Sequence, residues 1–523
     1  MDSLVGGAEE TSAILGSLCQ KGVRVWLENN KLRYKAPRGA LGADDIVRLR
    51  SSSQRLVCCL KKLSGDVAGA RGHPGATEIG HAPLAFSQQA HWRQYDLPNW
   101  RSMRWVTTAI RIRGVLDVDA LRRSIEQLVL RHDALRTRLA VVEGTPIQVT
   151  TRSIGCALEY NDLKGAGDDG RDRAAARLTA QLVEERIDVR QDSLWALLLL
   201  RLSETEHRLV IAAEHIVSDG ASLSVFTREL LEAYSQASNG REFSLPLLPF
   251  QFPDYATWQR YTHGAWLKQH SRYLQEHLGG CGRLRFPTQN GAAARSSRFW
   301  DAVPVSIGPT VTAQLRAWCR MNNTTLAMAV FASYVALVLR WCDAHDAVFT
   351  YQSDGREDVR VQNVIGFFAA PLYLRIALSQ SDNFTDLLEQ ITHEYCRAHE
   401  HIDFSYLMAQ DPKPDFTRNT AFNWLPDQPF ANGCKPCGST TDITCSPVHV
   451  PRPAPCDIYM DCEPSILLRE NCGQISGEIQ FPADRFSAPS METLRDALPR
   501  FILQLMAQPR SRVCEVPLKG PER

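Results

Sequence analysis

The 523-residue sequence has almost no charge imbalance: 59 Lys and Arg stand against 58 Asp and Glu, a formal net charge of +1. A dedicated nucleic-acid binder normally carries a basic excess that neutralises phosphates, so no nucleic-acid partner is expected. Long apolar runs are also missing. Leu194 to Leu202 is interrupted by Arg201 and falls well short of the ~18–20 residues a membrane span needs, so no membrane partner is expected either. The N-terminus, MDSLVGGAEETS, has neither a basic stretch nor an apolar core behind it and lacks the signature of a secretory signal. No GxxxxGK[ST] loop is present, which removes the usual phosphate cradle for activating an acid with ATP. Internal repeats and low-complexity tracts are absent too. Cysteine is not scarce, at 15 residues, but the count is odd and most are scattered singly through apolar segments. Without an export signal they are expected to be reduced thiols rather than a disulfide framework. These absences leave a cytoplasmic protein. Its length implies several lobes at ~100–200 residues each, and 44% apolar residues suffice for large cores.

What is present divides the chain into parts. Ile14, Leu15 and Leu18 have helical spacing, and Gly22 stands where a helix ends. Residues 23–27 then alternate, Asn29-Asn30 can turn, and residues 31–35 alternate again, which is the pattern of a β-hairpin. Asp44 or Asp45 can start a further helix through Ile46, Leu49, Leu56 and Val57. The hairpin concentrates positive charge, with Lys21, Arg24, Lys31, Arg33, Lys35 and Arg38 against Glu28 alone. A Gly-, Ala- and Pro-rich stretch from Ser64 reads as a linker. Beyond it helices and strands alternate, an α/β pattern. Asp117 can cap a helix with Leu121, Ile125, Leu128 and Leu135 on one face. Residues 194–202 and 208–213 read as paired strands around the polar turn 203–207, and a helix runs from Ser222 to a stop at Asn239-Gly240. Residues 289–297 and 432–455 read as loops.

Glu214-His215-Ile216-Val217-Ser218-Asp219-Gly220 is the most informative segment. It leaves an apolar strand and enters a helix. Imidazole suits proton movement near neutral pH, or a hydrogen bond to an attacking amine or hydroxyl. A carboxylate four residues later, at a tight turn, suits bracing of the loop through an Arg. Gly220 permits unusual backbone angles or close approach. A histidine beside a core strand is also commonly structural, and spacing alone leaves both roles open.

An ordered series of motifs surrounds this segment. The region from about Pro83 to Phe501 resembles the condensation-domain family of nonribosomal peptide synthetases, within the HxxxD acyltransferase superfamily. Residues 214–220 match the family's HHxxxDG motif with Glu214 in place of the first His. Upstream, residues 83–92 resemble the opening motif through Gln88 and Trp92, and Arg131-His-Asp-Ala-Leu-Arg-Thr137 matches RHExLRT. Downstream, residues 252–258 resemble YxDFAVW. Residues 365–370 resemble IGxFVN, followed by Arg375, while residues 401–404 resemble HQDY and residues 415–419 resemble DxSRN. Seven motifs thus stand in the family's order. A heterocyclisation variant is disfavoured, because those domains carry Asp at both ends of DxxxxD. Residues 18–41, with Gly22 to Trp26, Leu32-Arg33-Tyr34 and Ala36 to Leu41, resemble the small β-hairpin docking domain of the TubC type.

The resemblance implies an α/β fold of two chloramphenicol-acetyltransferase-like lobes in a V-shaped pseudo-dimer, preceded by a small αββα-type docking domain. Its boundaries would be 1–63 for docking, 64–82 for the linker, 83–262 for the N-terminal lobe and 263–523 for the C-terminal lobe. It implies an acyltransferase that moves a carrier-bound acyl or peptidyl thioester onto an amine or hydroxyl, forming an amide or an ester, in secondary metabolism such as antibiotic biosynthesis. His215, Asp219 and Gly220 would form the catalytic site, with Gly220 N–H near the thioester oxygen. Glu214, Arg356, Arg131 and Ser222 would support it, Arg356 as partner of Asp219. No metal and no intrinsic cofactor are implied, because substrates ride on the phosphopantetheine of donor and acceptor carrier proteins. On the hairpin, Arg24, Trp26, Lys31, Arg33, Lys35 and Arg38 would receive an acidic C-terminal motif of the megasynthase polypeptide that precedes this one.

Three departures stand out: Glu214, Ala370 in place of the Asn of IGxFVN, and Ser405-Tyr406-Leu407 in place of the usual PFE. They keep open a non-catalytic condensation-like module that recruits carriers or a tailoring enzyme. A second alternative is a stand-alone acyltransferase using a diffusible acceptor or coenzyme A, against which the docking unit speaks. Residues 516–523 resemble the start of a linker toward an adenylation domain, compatible with a natural stand-alone enzyme or a piece of a larger synthetase. Cys434 and Cys437, with Cys445, His449 and Cys456 near them, invite a zinc reading but lack a second paired spacing, so reduced thiols are expected.

Overall fold

The computed structural model describes residues 18–57, 80–93, 105–151, 158–184, 189, 193–287, 300–402, 420–425, 443–448 and 464–518, apart from a few positions within them. The chain divides into two compact units. The first takes described residues up to 266 together with 356–368 and 428–453, and the second takes the rest.

The first unit holds strands β1 (Arg24–Glu28), β2 (Lys31–Lys35), β3 (Gly80–Pro83), β4 (Trp105–Arg113), β5 (Thr137–Val142), β6 (Thr145–Thr150), β7 (Leu158–Asp162), β8 (Trp195–Arg201) and β9 (Glu206–Glu214). They form two five-stranded sheets. One runs β2-β1-β3-β6-β5, and the other places the strand Thr444–Val448 beside β4, followed by β9, β8 and β7. Its helices are α1 (Ala43–Ser51), α2 (Phe86–Trp92), α3 (Val118–Arg131), α4 (Asp168–Glu184), α5 (Gly220–Ser238) and α6 (Phe252–His263). Asp117 caps α3 by accepting from Ala120 N at 2.9 Å, and Leu121, Ile125 and Leu128 share a core with Leu209 and Ile211 of β9 and Leu223, Phe226 and Leu230 of α5. Each such side chain contributes about 1.5–3 kcal/mol when fully removed from water. That core fixes the end of β9 against the start of α5, and so the loop 214–220 between them.

Four details differ from the sequence reading. Gly80–Ala82, expected in the linker, belong to β3, which pairs with β1 (Val25↔His81, Trp26↔Gly80) and with β6 (Gly80↔Thr150). The hairpin therefore extends a sheet of the first unit, because β3 leaves its edge open to β1. Helix α1 is capped at Gly42 rather than Asp44 or Asp45, and Asp45 closes that end by accepting from Gly42 N at 2.9 Å and from Lys21 Nζ at 2.6 Å. Residues 444–448, expected in a loop, pair antiparallel with β4. Pro447 breaks the strand pattern, and a proline is tolerated there because the strand lies at a sheet edge. Asp219 caps the helix expected to begin at Ser222, which therefore begins at Gly220.

The second unit has one six-stranded sheet in the order Trp300–Ile307, Gln474–Pro482, Ser465–Asn471, Ala421–Trp424, Asp346–Ser353, Ala370–Ala377. The helix Leu326–Trp341 is buried along nearly its whole length, which explains its almost uninterrupted apolar sequence. No single helix among the described residues is long and apolar enough to cross a membrane.

Candidate active site

The segment after β9 turns through one 3₁₀ turn, His215–Val217, before α5 begins. Asp219 is the hub of this loop. Its Oδ1 accepts from Ser222 N at 2.7 Å and from Arg356 Nη2 at 3.1 Å, and its Oδ2 accepts from Phe368 N at 2.9 Å. Burial alone would raise the Asp219 carboxyl pKa, but the Arg356 charge and these donors outweigh it and hold the pKa below the ordinary value. Arg356 is also engaged through its other nitrogen, donating from Nη1 to Val361 O at 2.8 Å and Val364 O at 2.7 Å, and it lies 4.6 Å over the Phe368 ring. Ser222 neither caps α5 with its hydroxyl nor faces solvent. Its Oγ donates to Gly366 O at 2.8 Å and accepts from Gly366 N at 3.1 Å and Arg356 Nη2 at 2.8 Å. The segment 356–368 is thus strapped to the start of α5.

The strap demands glycine at 366. A Cβ there would lie 2.1 Å from the Phe252 ring of α6. Phe252 and Tyr255 in turn pack on Phe368, with ring centroids 5.0 and 4.8 Å apart. The strap's Phe367 ring lies 4.4 Å from the His215 ring, and Ser87 Oγ of α2 donates to Phe367 O at 2.8 Å.

His215 is half-buried among these elements. Burial pushes its imidazole down to about 4, helped by the charge of His91 and opposed by its own backbone carbonyl, Glu214 and Asp219. The ring is therefore neutral near pH 7, with a lone pair able to accept a hydrogen bond. Glu214 is completely buried at the end of β9 and accepts a short hydrogen bond from Ile216 N. Gln88 of α2 holds the next carbonyl, donating from Nε2 to Ile216 O at 2.9 Å while its Oε1 accepts from Ala85 N at 2.9 Å. Gly220 is exposed, has no positive φ, and a Cβ built on it meets nothing within 4 Å. The folded chain does not require glycine there, and the space beside the backbone is open.

Arg131 acts at a distance. Its Nε donates to Glu229 Oε2 of α5 at 2.9 Å and its Nη2 to Pro246 O at 2.7 Å, while His132 Nε2 meets the same Glu229 oxygen at 2.7 Å. Burial lowers the His132 pKa against the pull of Glu229. The RHxxLRT stretch thus anchors α5 to α3 rather than lining the His215 site. In the second unit, Ala370 is buried and opens its strand opposite Ser353, and Arg375 pairs with Asp346 at 2.7 Å and with His277 and Gly279 carbonyls. Residues 403–419, and Cys434, Cys437, His449 and Cys456, lie outside the described residues, while Cys445 is buried in the edge strand. Among the described residues no group of three or more His, Cys, Asp or Glu side chains is arranged to hold a metal.

Sequence reasoning left His91 and Phe367 out of the site, although both flank His215. Phe367 occupies the unspecified position of IGxFVN, and His91 sits one place before Trp92 of the opening motif.

The condensation-domain family model matches residues 78–522. The chain belongs to the condensation-domain family. Residues 12–61 match the TubC N-terminal docking domain. Over 448 residues (84% of this chain) the condensation domain is 28% identical to a linear gramicidin synthase polypeptide of Brevibacillus parabrevis, and over 332 residues (62%) it is 30% identical to enniatin synthase of Fusarium equiseti. It spans only 6% and 10% of those relatives' lengths. In fold it is similar to the first condensation domain of the CDA synthetase, with a TM-score of 0.68, 18% identity, and coverage of 84% of this chain and 99% of that one. The α/β architecture of the condensation domain is thereby shared.

On the docking hairpin, strand register puts Arg24, Trp26 and Glu28 opposite Lys35, Arg33 and Lys31 respectively. Lys31, Arg33 and Lys35 alternate along β2 and so share one face of the hairpin. Val25 lies on the other, in a small core with Leu18, Val23, Leu49 and Leu56. Lys31, Arg33 and Lys35 are exposed, and Lys35 lies 3.7 Å from Asp254 of α6. Arg38 lies outside the described residues.

Proposed function

We propose that the chain is a condensation enzyme of a nonribosomal peptide synthetase. It takes an acyl or peptidyl group held as a thioester on the phosphopantetheine of a donor carrier protein and passes it to an amine or hydroxyl on an acceptor. In this step the acceptor nitrogen or oxygen bonds to the thioester carbonyl carbon, the carbon–sulfur bond breaks, and the proton lost by the nucleophile ends on the departing thiol. The observation that carries the reading is the His215 site itself: a neutral imidazole fixed between Phe367 and His91 on a loop pinned by the Asp219–Arg356 pair. A weakly basic imidazole does not strip a proton from a free amine. It orients the nucleophile by accepting its hydrogen bond and takes the proton once attack has made it acidic. The open space at Gly220 supports approach of a thioester, with its N–H at the start of α5 directed at developing oxyanion charge.

The docking domain receives an acidic C-terminal segment of an upstream synthetase polypeptide. Charge on the Lys31–Arg33–Lys35 face supports this, since complementary charge speeds encounter and selects partners. The test is reconstitution of the full chain with an acyl-loaded donor carrier and a range of amine and hydroxyl acceptors, read by intact mass. Transfer of the acyl mass to an acceptor is expected. No transfer across the whole set would leave the chain as a recruiting scaffold.

A further inference from the structure

Glu214 stands where the family motif has histidine, and burial of a carboxylate is costly unless its charge is answered. An imidazole is placed to contribute to that. His91, on α2, is buried and directs Nε2 to within 3.8 Å of Glu214 Oε1, while its ring lies 5.5 Å from that of His215 and 5.6 Å from that of Phe367. The other Glu214 oxygen is taken by Ile216 N, one residue after His215. Helix α2 cannot drift from this loop, because Gln88 holds Ile216 O and Ser87 holds Phe367 O. An imidazole and a carboxylate thus come together from two elements, both against the ring that the proposed reaction needs.

We infer that His91 is a positioning residue that works as a pair with Glu214 to hold the His215 imidazole and balance the charge around it. The inference rests on the reading of His215 given above. Among the described residues, the titratable and charged groups facing His215 are His91 from α2, Glu214 from β9, and Asp219 at the start of α5 with its partner Arg356 from the strap. His91 and Glu214 act on it with opposite sign: a proton on the His91 ring disfavours one on His215, and the Glu214 carboxylate favours it. Losing either alone tips that balance, and losing both removes the conflict.

The test uses the full chain with a donor carrier and an acceptor that support transfer by the unaltered protein. Turnover is measured against pH for His91→Leu, Glu214→Gln, the double variant and, in parallel, His215→Ala. Glu214→Gln keeps an acceptor for Ile216 N and the side-chain volume, and so remains informative if His91→Leu folds poorly, in which case His91→Gln replaces it. Each single change should lower kcat by about tenfold with little change in acceptor KM, and the double variant should fall no further than His91→Leu, because contacting residues of one unit are non-additive. The acid limb of the kcat profile should move to higher pH in His91→Leu and to lower pH in Glu214→Gln. Losses that multiply to about 100-fold in the double variant, with limbs that do not move, would overturn the pairing. If His215→Ala is inactive while the pair behaves independently, only this inference fails. If His215→Ala is fully active, the underlying reading fails and this inference with it.

Discussion

His215 folds as a neutral ring, and that has a consequence for stability as well as chemistry. Its folded value is about 4 against an ordinary value of 6.5, so between those limits the unfolded chain binds a proton that the folded chain refuses. Stability contributed by the neutral ring is complete above pH 6.5 and is lost as pH falls toward 4. His132, buried and also lowered, acts in the same direction. Urea titrations at a series of pH values should show unfolding free energy falling through this window, with a shallower slope in His215→Gln. An unchanged slope in that variant would mean that the ring is not held neutral by burial. The carboxylate of Asp219 adds an acid-labile contribution at lower pH, since its own value is depressed by Arg356. The HxxxDG residues were legible in the sequence because their spacing and order are distinctive. The pairing of Glu214 with His91 was not, since the two are far apart along the chain and only the fold brings them together.

The strap 356–368 shows what an element can do that its sequence does not announce. It carries no regular secondary structure, yet it supplies Arg356 to Asp219, Gly366 to Ser222 and Phe367 to His215. Its glycine is dictated by one contact. A methyl at position 366 would clash with the Phe252 ring, 2.1 Å from its nearest carbon, and relieving such overpacking typically costs about 1–3 kcal/mol. We predict that Gly366→Ala lowers the midpoint of thermal unfolding and reduces turnover together, and that Phe252→Ala in the same chain recovers part of the turnover. No recovery would place the effect elsewhere than in this contact. Helix α5 was legible as a run from Ser222 to a stop at Asn239-Gly240, but its first residue was not, because only the structure shows Asp219 serving both as cap and as ion-pair partner. The edge strand 444–448 was missed for a related reason: Pro447 hides a strand whose partner in the sheet is β4.

At the scale of the whole molecule, the hairpin and the condensation domain are not beads on a string. Sheet order β2-β1-β3-β6-β5 carries backbone pairing from the charged edge strand to β3, and the chain leaving β3 soon enters α2, the helix that holds His91 and Gln88. The near-zero net charge of the chain conceals this basic face, which the sequence did reveal once it was read locally. The role of Gly80–Ala82 was not legible, because a Gly-rich run gives no strand signal until a neighbour offers an open edge. Changing Lys31 and Arg33 together to Glu should weaken binding of a synthetic acidic peptide, chiefly through slower association, and the difference should shrink as salt is raised. Calorimetry and stopped-flow mixing read both quantities, and equal affinity for the two proteins at low salt would remove the basic face from docking.

The most direct measurement is single-turnover acyl transfer by the unaltered chain and by His215→Ala, followed by intact mass, with circular dichroism confirming that both are folded. Removal of a group that orients the nucleophile and relays its proton should slow transfer by at least about 100-fold. Transfer by folded His215→Ala at the unaltered rate would contradict the central claim.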